Sequence, residues 1–277
     1  MNGIAENRYQ SKQTNKTIKM NLTKLIFLFT LSLFFNSRSH AQRNPNNPYD
    51  RVGELHNYLL DAFFTEQTKE SVAGRWSQET LSDYVCRKIP DINCPFVHQV
   101  MSDKLITEIK DKTLLQSESI FLDHGFVHAR HEYYVQQIND IIESHFEEEY
   151  LVSYKSVLRL EDQLVNDPDL TPSEIINLLC SSSVARYSIK FWKDVAGGLA
   201  RYPSIANDMT NLACCSWLKN ISQADVRGAI AGGIVGGTAG SSGGGIGGLP
   251  ASGGGSVIAG GCSSIASGVA SLWHCFF

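Results

Sequence analysis

Apolar positions recur at helical spacing from residue 52 onward. Val52, Leu55, Leu59, Leu60 and Phe63 fall at i, i+3, i+7, i+8 and i+11, the signature of one buried helix face. A second helical stretch is predicted over Gln78–Arg87, ahead of a loop bounded by Pro90 and Pro95. Phe96, Val100, Leu105, Ile106 and Ile109 predict a third. The longest runs from His124 to Tyr150, and Leu151–Val165 follows as another. Asp167-Pro168-Asp169 breaks the chain. Thr171-Pro172-Ser173-Glu174 then has capping-box spacing with proline at the first helical position. A helix is expected from there through Cys180, and a further one over Ala185–Leu199. No segment alternates in the manner of a strand. Residues 49–220 therefore read as an all-α helical bundle.

The pattern changes after Arg227, beyond which no Asp, Glu, Lys or Arg occurs. Seventeen of the 23 glycines lie between Gly228 and Gly268, within a C-terminal region taken as 224–277. Gly228, Gly232, Gly236, Gly240, Gly244 and Gly248 are spaced by four. After Pro250 the register continues through Ser252, Ser256, Gly260, Ser264 and Gly268, and a second row runs through Gly233, Gly237, Ser241 and Gly245. On a helix this spacing makes a groove of bare backbone that another helix can approach closely, the small-xxx-small logic of helix pairing. Gly228–Gly248 would span about 30 Å as helix, comparable with a bilayer core. Leu249-Pro250 is placed to turn the chain, and Trp273, His274, Phe276 and Phe277 form an aromatic end suited to an interface. The expectation is a glycine-zipper helical hairpin. The alternative is a partly disordered Gly/Ser tail: eleven of the 21 residues Gly228–Gly248 are glycine, each costing about 1 kcal/mol relative to alanine in a helix.

The formal net charge of −4 is itself a mixture. Residues 1–41 hold six basic groups and one acid, which leaves 18 basic and 27 acidic residues, a net −9, in the remainder. That balance argues against a nucleic-acid partner, which requires excess positive charge. The basic head reads as an export leader of the Sec type, with Met20 as its start. Lys19 and Lys24 precede the apolar run Leu25–Phe35, and Ser39-His40-Ala41 supplies small residues at −3 and −1. Eleven apolar residues are too short to cross a bilayer. Cleavage after Ala41 would leave residues 42–48 (QRNPNNP) as a polar linker. Seven cysteines follow, which an oxidising compartment would allow to pair. Cys86 with Cys94, and Cys262 with Cys275, are candidate bridges.

Little chemistry stands out. His124, His128 and His131 at i, i+4 and i+7 share a helical face and could hold zinc or copper. The same stripe continues as Val135, Ile138, Ile142 and His145, so ordinary core or boundary histidines are the favoured reading. His131-Glu132 lacks the second histidine of H-E-x-x-H, no G-x-S-x-G or Walker loop occurs, and Gly243–Gly248 matches G-x-G-x-x-G only as glycine composition dictates. No catalytic residue, enzyme activity or cofactor is implied.

The charge-free end, with GAIAGGIVGG (Gly228–Gly237), a central proline and a late cysteine, resembles glycine-zipper bacteriocins. NPYDRVGELHN (Asn47–Asn57), SSVARYSIKFW (Ser182–Trp192) and ADVRGAIAGGIVGG (Ala224–Gly237) resemble segments of uncharacterised secreted bacterial proteins with bacteriocin-like tails. The resemblance implies membrane permeabilisation, with the lipid bilayer as partner and self-association through the ladder. The chain departs from the bacteriocin pattern in its Sec-type leader and its large acidic body, and Gly197-Gly198 is the one candidate processing site. The expected function is thus a secreted or envelope protein whose tail inserts into or assembles at a membrane. Its alternatives are an envelope protein with a self-packing tail and a helical metal binder.

Overall fold

The computed structural model describes residues 43–66, 77–89, 92–102, 129–145, 150–196, 215–238 and 254–261. Among these residues every regular element is a helix. They are α1 (Arg51–Glu66), α2 (Gln78–Lys88), α3 (Cys94–Ser102), α4 (Ala129–His145), α5 (Tyr150–Val165), α6 (Pro172–Ala196), α7 (Cys215–Thr238) and α8 (254–261). The all-α expectation holds. The predicted leader, Leu105–Ile109 and Gly197-Gly198 lie outside the described residues.

Helix α6 is the axis of the body and packs against α1, α4, α5 and α7. Residues 177–189 are buried on every face, as befits a helix surrounded by others. The capping box at its start forms as its spacing predicts. The Thr171 amide donates to Glu174 Oε2 at 2.8 Å, and the Glu174 amide donates back to Thr171 Oγ1 at 3.3 Å. One expectation is corrected here. The two helices predicted on either side of Ser181-Ser182-Ser183 are a single 25-residue helix. The Ser181 hydroxyl donates back to the Asn177 carbonyl at 2.8 Å, and Ser182 shares its proton between the Leu179 carbonyl at 3.1 Å and Glu161 on α5 at 3.0 Å. The serine hydroxyls thus find acceptors within the helix and on its neighbours, and the run does not break it.

The apolar face of α1 buries Val52, Leu59, Leu60 and Phe63, while Leu55 lies at its margin. Phe63, Phe64, Tyr84 and Trp192 meet edge to face, with ring centroids 5.2 to 5.7 Å apart, and join α1 to α2 and α6. Val135, Ile138 and Ile142 of α4 are buried, as their spacing predicts.

Three turns share one construction. Asn44-Pro45, Asn47-Pro48 and Asp167-Pro168 each place an Asx residue before a proline, the arrangement favoured at positions i and i+1 of a tight turn. In each, the Asx side-chain oxygen accepts the amide of residue i+2, at 2.8 to 3.0 Å, and the carbonyl of residue i accepts the amide of residue i+3. Asp167 also receives Arg130 Nε at 2.6 Å and the Tyr134 hydroxyl at 2.7 Å, which fastens the α5–α6 turn to α4.

Candidate functional site

The glycine ladder enters this body on α7. The boundary expected between 220 and 224 falls inside that helix, which runs unbroken from Cys215 to Thr238. Gly228, Gly232 and Gly236 are buried, as is all of α8 including Gly260. Gly240, Gly244, Gly248 and Gly268 lie outside the described residues. The two helices meet at their backbones. A Cβ on Gly232 would fall on the Gly255 carbonyl oxygen and 2.6 Å from Ala259 Cβ. A Cβ on Gly255 would fall on the Gly232 carbonyl oxygen and 3.2 Å from Gly236 Cα. Two successive rungs thus straddle Gly255, a residue the register did not single out. Ser256 faces Gly233, and Gly260 lies near Asp225, Ala229 and His56. Among the described residues no helix is long and apolar enough to cross a membrane.

Polar side chains fix this segment to the body. Asn177 on α6 donates Nδ2 to the Ile230 carbonyl on α7 at 3.0 Å, an approach that a side chain at Gly233 would block. Asp225 accepts Ser188 Oγ at 2.5 Å and Trp192 Nε1 at 3.2 Å on its Oδ2. His56 reaches the same oxygen at 3.6 Å with Nε2, which has no hydrogen-bond partner. Burial lowers the His56 pKa to about 4, against a smaller opposing effect of Asn57. Serine, histidine and aspartate therefore meet here, but not as a hydrolytic triad. Ser188 gives its proton to the carboxylate rather than to the imidazole, and all three side chains are closed off from solvent.

Of the three histidines proposed as ligands, His124 and His128 lie outside the described residues. His131 is buried and paired through Nε2 with Asn177 Oδ1 at 3.0 Å. Because Asn177 Nδ2 is committed to Ile230, its oxygen faces the ring, so Nε2 carries the proton and is unavailable to a metal. Burial lowers this histidine's pKa as well, opposed in part by Asn177 and Glu174. Among the described residues no group of three His, Cys, Asp or Glu side chains converges on a metal position.

Cys86 and Cys94 are free thiols rather than the expected bridge. Their side chains are in hydrogen-bond contact across the α2–α3 corner, and burial with that contact pushes the Cys86 thiol up to about 12. At that pKa Cys86 carries little thiolate, the species that attacks a disulfide. Cys180, fully buried and in contact with Ser256, is also free. Cys262 and Cys275 lie outside the described residues. An open groove of about 540 Å³ between α2 and α3 includes Ser82, His98 and Gln99. His98 stands 3.5 Å from Asp83, with both about half exposed, so nothing there excludes water from a reaction.

A buried polar cluster among the described residues was not singled out from the sequence. Glu161 on α5, 1% exposed, accepts Asn44 Nδ2 at 2.5 Å, Asn47 Nδ2 at 2.8 Å, Ser182 Oγ at 3.0 Å and Arg186 Nη2 at 3.1 Å. Arg186 on α6 is fully buried and also pairs with Asp50. Burial disfavours its charge, but Glu161 and Asp50 outweigh this and hold its pKa above the ordinary value. Of residues 44–50, expected as the end of a polar linker and the approach to α1, Asn44 and Asn47 are thus buried against α5 and α6, while Pro45, Asn46 and Pro48 stay exposed. The asparagine-proline repeat was the available signal.

Comparison with known proteins gives no match: no protein family, curated protein or solved structure corresponds to this chain.

Proposed function

We propose that this is an exported, non-enzymatic helical protein of the cell envelope, in which the glycine ladder packs the charge-free C-terminal region onto the body. The observation that carries this reading is the Gly232–Gly236 saddle over Gly255, where backbone meets backbone in a buried setting. Small-residue rows permit such an approach whether the surroundings are protein or lipid. Here the surroundings are protein: Asn177 lies beside Gly233 and holds the Ile230 carbonyl, and His56 lies beside Gly260, while Ser188 and Trp192 hold Asp225 earlier on the same helix. The ladder is then a glycine zipper turned inward, continued by its later rungs as the second arm of a hairpin.

A second reading has its own support. The absence of charged side chains after Arg227 suits insertion into a bilayer, with bacteriocin-like permeabilisation and self-association through the ladder. Hydrogen exchange and dye release on the intact exported protein separate the two. The inward zipper predicts slow amide exchange over 229–236 and 254–261 in water, and no release from phosphatidylglycerol–phosphatidylethanolamine vesicles. Unprotected amides there, together with prompt release, would replace it with the membrane-active reading.

A further inference from the structure

The asparagine-proline turns do more than reverse the chain. In each of the first two, the asparagine Oδ1 is spent on the turn, accepting the amide of Asn46 or Tyr49. Each side-chain Nδ2 is therefore presented outward in a fixed direction. A three-residue repeat sets both on one side, where they reach opposite oxygens of a single carboxylate: Asn44 donates to Glu161 Oε2 and Asn47 to Oε1. Asn47 uses its other N–H on the Leu179 carbonyl at 3.0 Å. Three residues further on, Asp50 meets the other end of the same cluster. Its carboxylate pairs with Arg186 and takes the Tyr187 hydroxyl at 3.2 Å, and its carbonyl accepts Ser183 Oγ at 2.9 Å. The segment's contacts thus alternate amide, amide, carboxylate, against a carboxylate and a guanidinium on α5 and α6.

We propose that α5 and α6 form a peptide-recognition slot for the tandem sequence Asn-Pro-X-Asn-Pro-X-Asp, which the chain fills with its own residues 44–50. Glu161 and Arg186 nearly cancel in charge, so the slot selects a partner by its hydrogen-bond pattern and by the placement of one carboxylate against Arg186. Aspartate in place of either asparagine sets carboxylate against carboxylate. An apolar residue removes a donor from a buried anion, which is costly wherever water cannot replace it. Residues 44–50 therefore act as a tethered ligand, and the same tandem sequence on a separate peptide is a competitor for the slot.

Trypsin cleavage after Arg43 and Arg51 reads occupancy of the slot in the full chain. Asn47→Asp is expected to raise the cleavage rate on the order of tenfold, the factor matching loss of one charge-assisted hydrogen bond. Adding Glu161→Gln to that chain is expected to restore protection, because the new amide can donate to the introduced carboxylate. Asn44→Asp, directed at the other oxygen, provides the same comparison should the first variant fold poorly. A labelled peptide of residues 42–51 should bind the Asn44→Ala/Asn47→Ala chain, whereas the same peptide with Asn44→Asp/Asn47→Asp should not. Unchanged cleavage in both aspartate variants, no rescue by Glu161→Gln, or equal binding of the two peptides would each overturn the proposal.

Discussion

Replacing Gly232 with alanine sets two effects against each other. In a helix interior the substitution is favourable by about 1 kcal/mol, because alanine loses less backbone freedom. At Gly232 the new methyl group would fall on the Gly255 carbonyl oxygen. A backbone atom cannot rotate aside, so α7 and α8 must separate along their crossing. Overpacking of this kind costs about 1–3 kcal/mol, and a rigid obstacle belongs at the upper end. The net expectation is a loss of about 2 kcal/mol. For a unit of this size that corresponds to a fall in Tm of about 4–8 °C, measured by circular dichroism at 222 nm. Gly255→Ala meets the reciprocal obstacle and should behave alike. Once one methyl has parted the helices the second fits more easily, so the double variant should lose less than the sum, by at least about 0.5 kcal/mol. Gly260→Ala is the control: its added carbon would lie 3.3 Å from the Asp225 carbonyl oxygen and 3.4 Å from Ala229 Cβ, a small intrusion. It should change stability little. A rise in Tm for Gly232→Ala, showing the propensity gain alone, would refute the close approach.

Stability should fall as pH drops from 6.5 toward 4. In that window the unfolded chain protonates His56, while the folded chain holds it neutral until about pH 4. The loss is roughly 3 kcal/mol at the lower end. His131 acts in the same direction, and a chain with His56→Gln should show a flatter urea-midpoint profile across the window. Arg186→Met leaves Glu161 and Asp50 without their counter-charge and should cost about 3–5 kcal/mol, seen as a lower urea midpoint. Thr171→Ala removes the Oγ1 that caps the Glu174 amide and should cost about 1 kcal/mol by thermal unfolding.

Helix positions were legible because burial follows periodicity: Val52, Leu59, Leu60 and Phe63 of the α1 stripe, and the run Val135, Ile138, Ile142, lie inward, as their spacing requires. The capping box at Thr171 was legible for a local reason, since all its partners fall within four residues. The continuity of α6 was not. Three consecutive serines suggest an interruption in isolation, and only the packing of α6 among its neighbours, which supplies Glu161 to Ser182 and the Asp50 carbonyl to Ser183, makes a buried serine run the better solution. The Glu161 cluster was illegible for the opposite reason, because Asn44 and Asn47 lie more than a hundred residues from Glu161 along the chain. Composition marked Asn44–Pro48 as linker. That asparagine could cap a turn with one atom and bind a carboxylate with another depends on what α5 and α6 bring to it. The ladder lies between these cases: its register indicated a close helix contact at Gly232, but not that Gly255 would be the partner.

The arrangement around α7 bears on which reading of the ladder is energetically simpler. A segment so rich in glycine does not hold helix alone in water, so the order of residues 228–238 depends on its neighbours. Those neighbours grip α7 at polar points as well as by packing: Asp225 through Ser188 and Trp192, and the Ile230 carbonyl through Asn177. A bilayer could replace the apolar contacts and the small-residue pairing. It could not replace the Ser188, Trp192 and Asn177 donors, and Asp225 and Arg227 would have to remain at its surface, because charge at the hydrocarbon centre costs at least about 2.5 kcal/mol per residue. Transfer to a membrane therefore requires these tethers to open first, whereas packing within the body uses them as they stand. The inward zipper needs no trigger, and the membrane-active reading needs one that acts on α6.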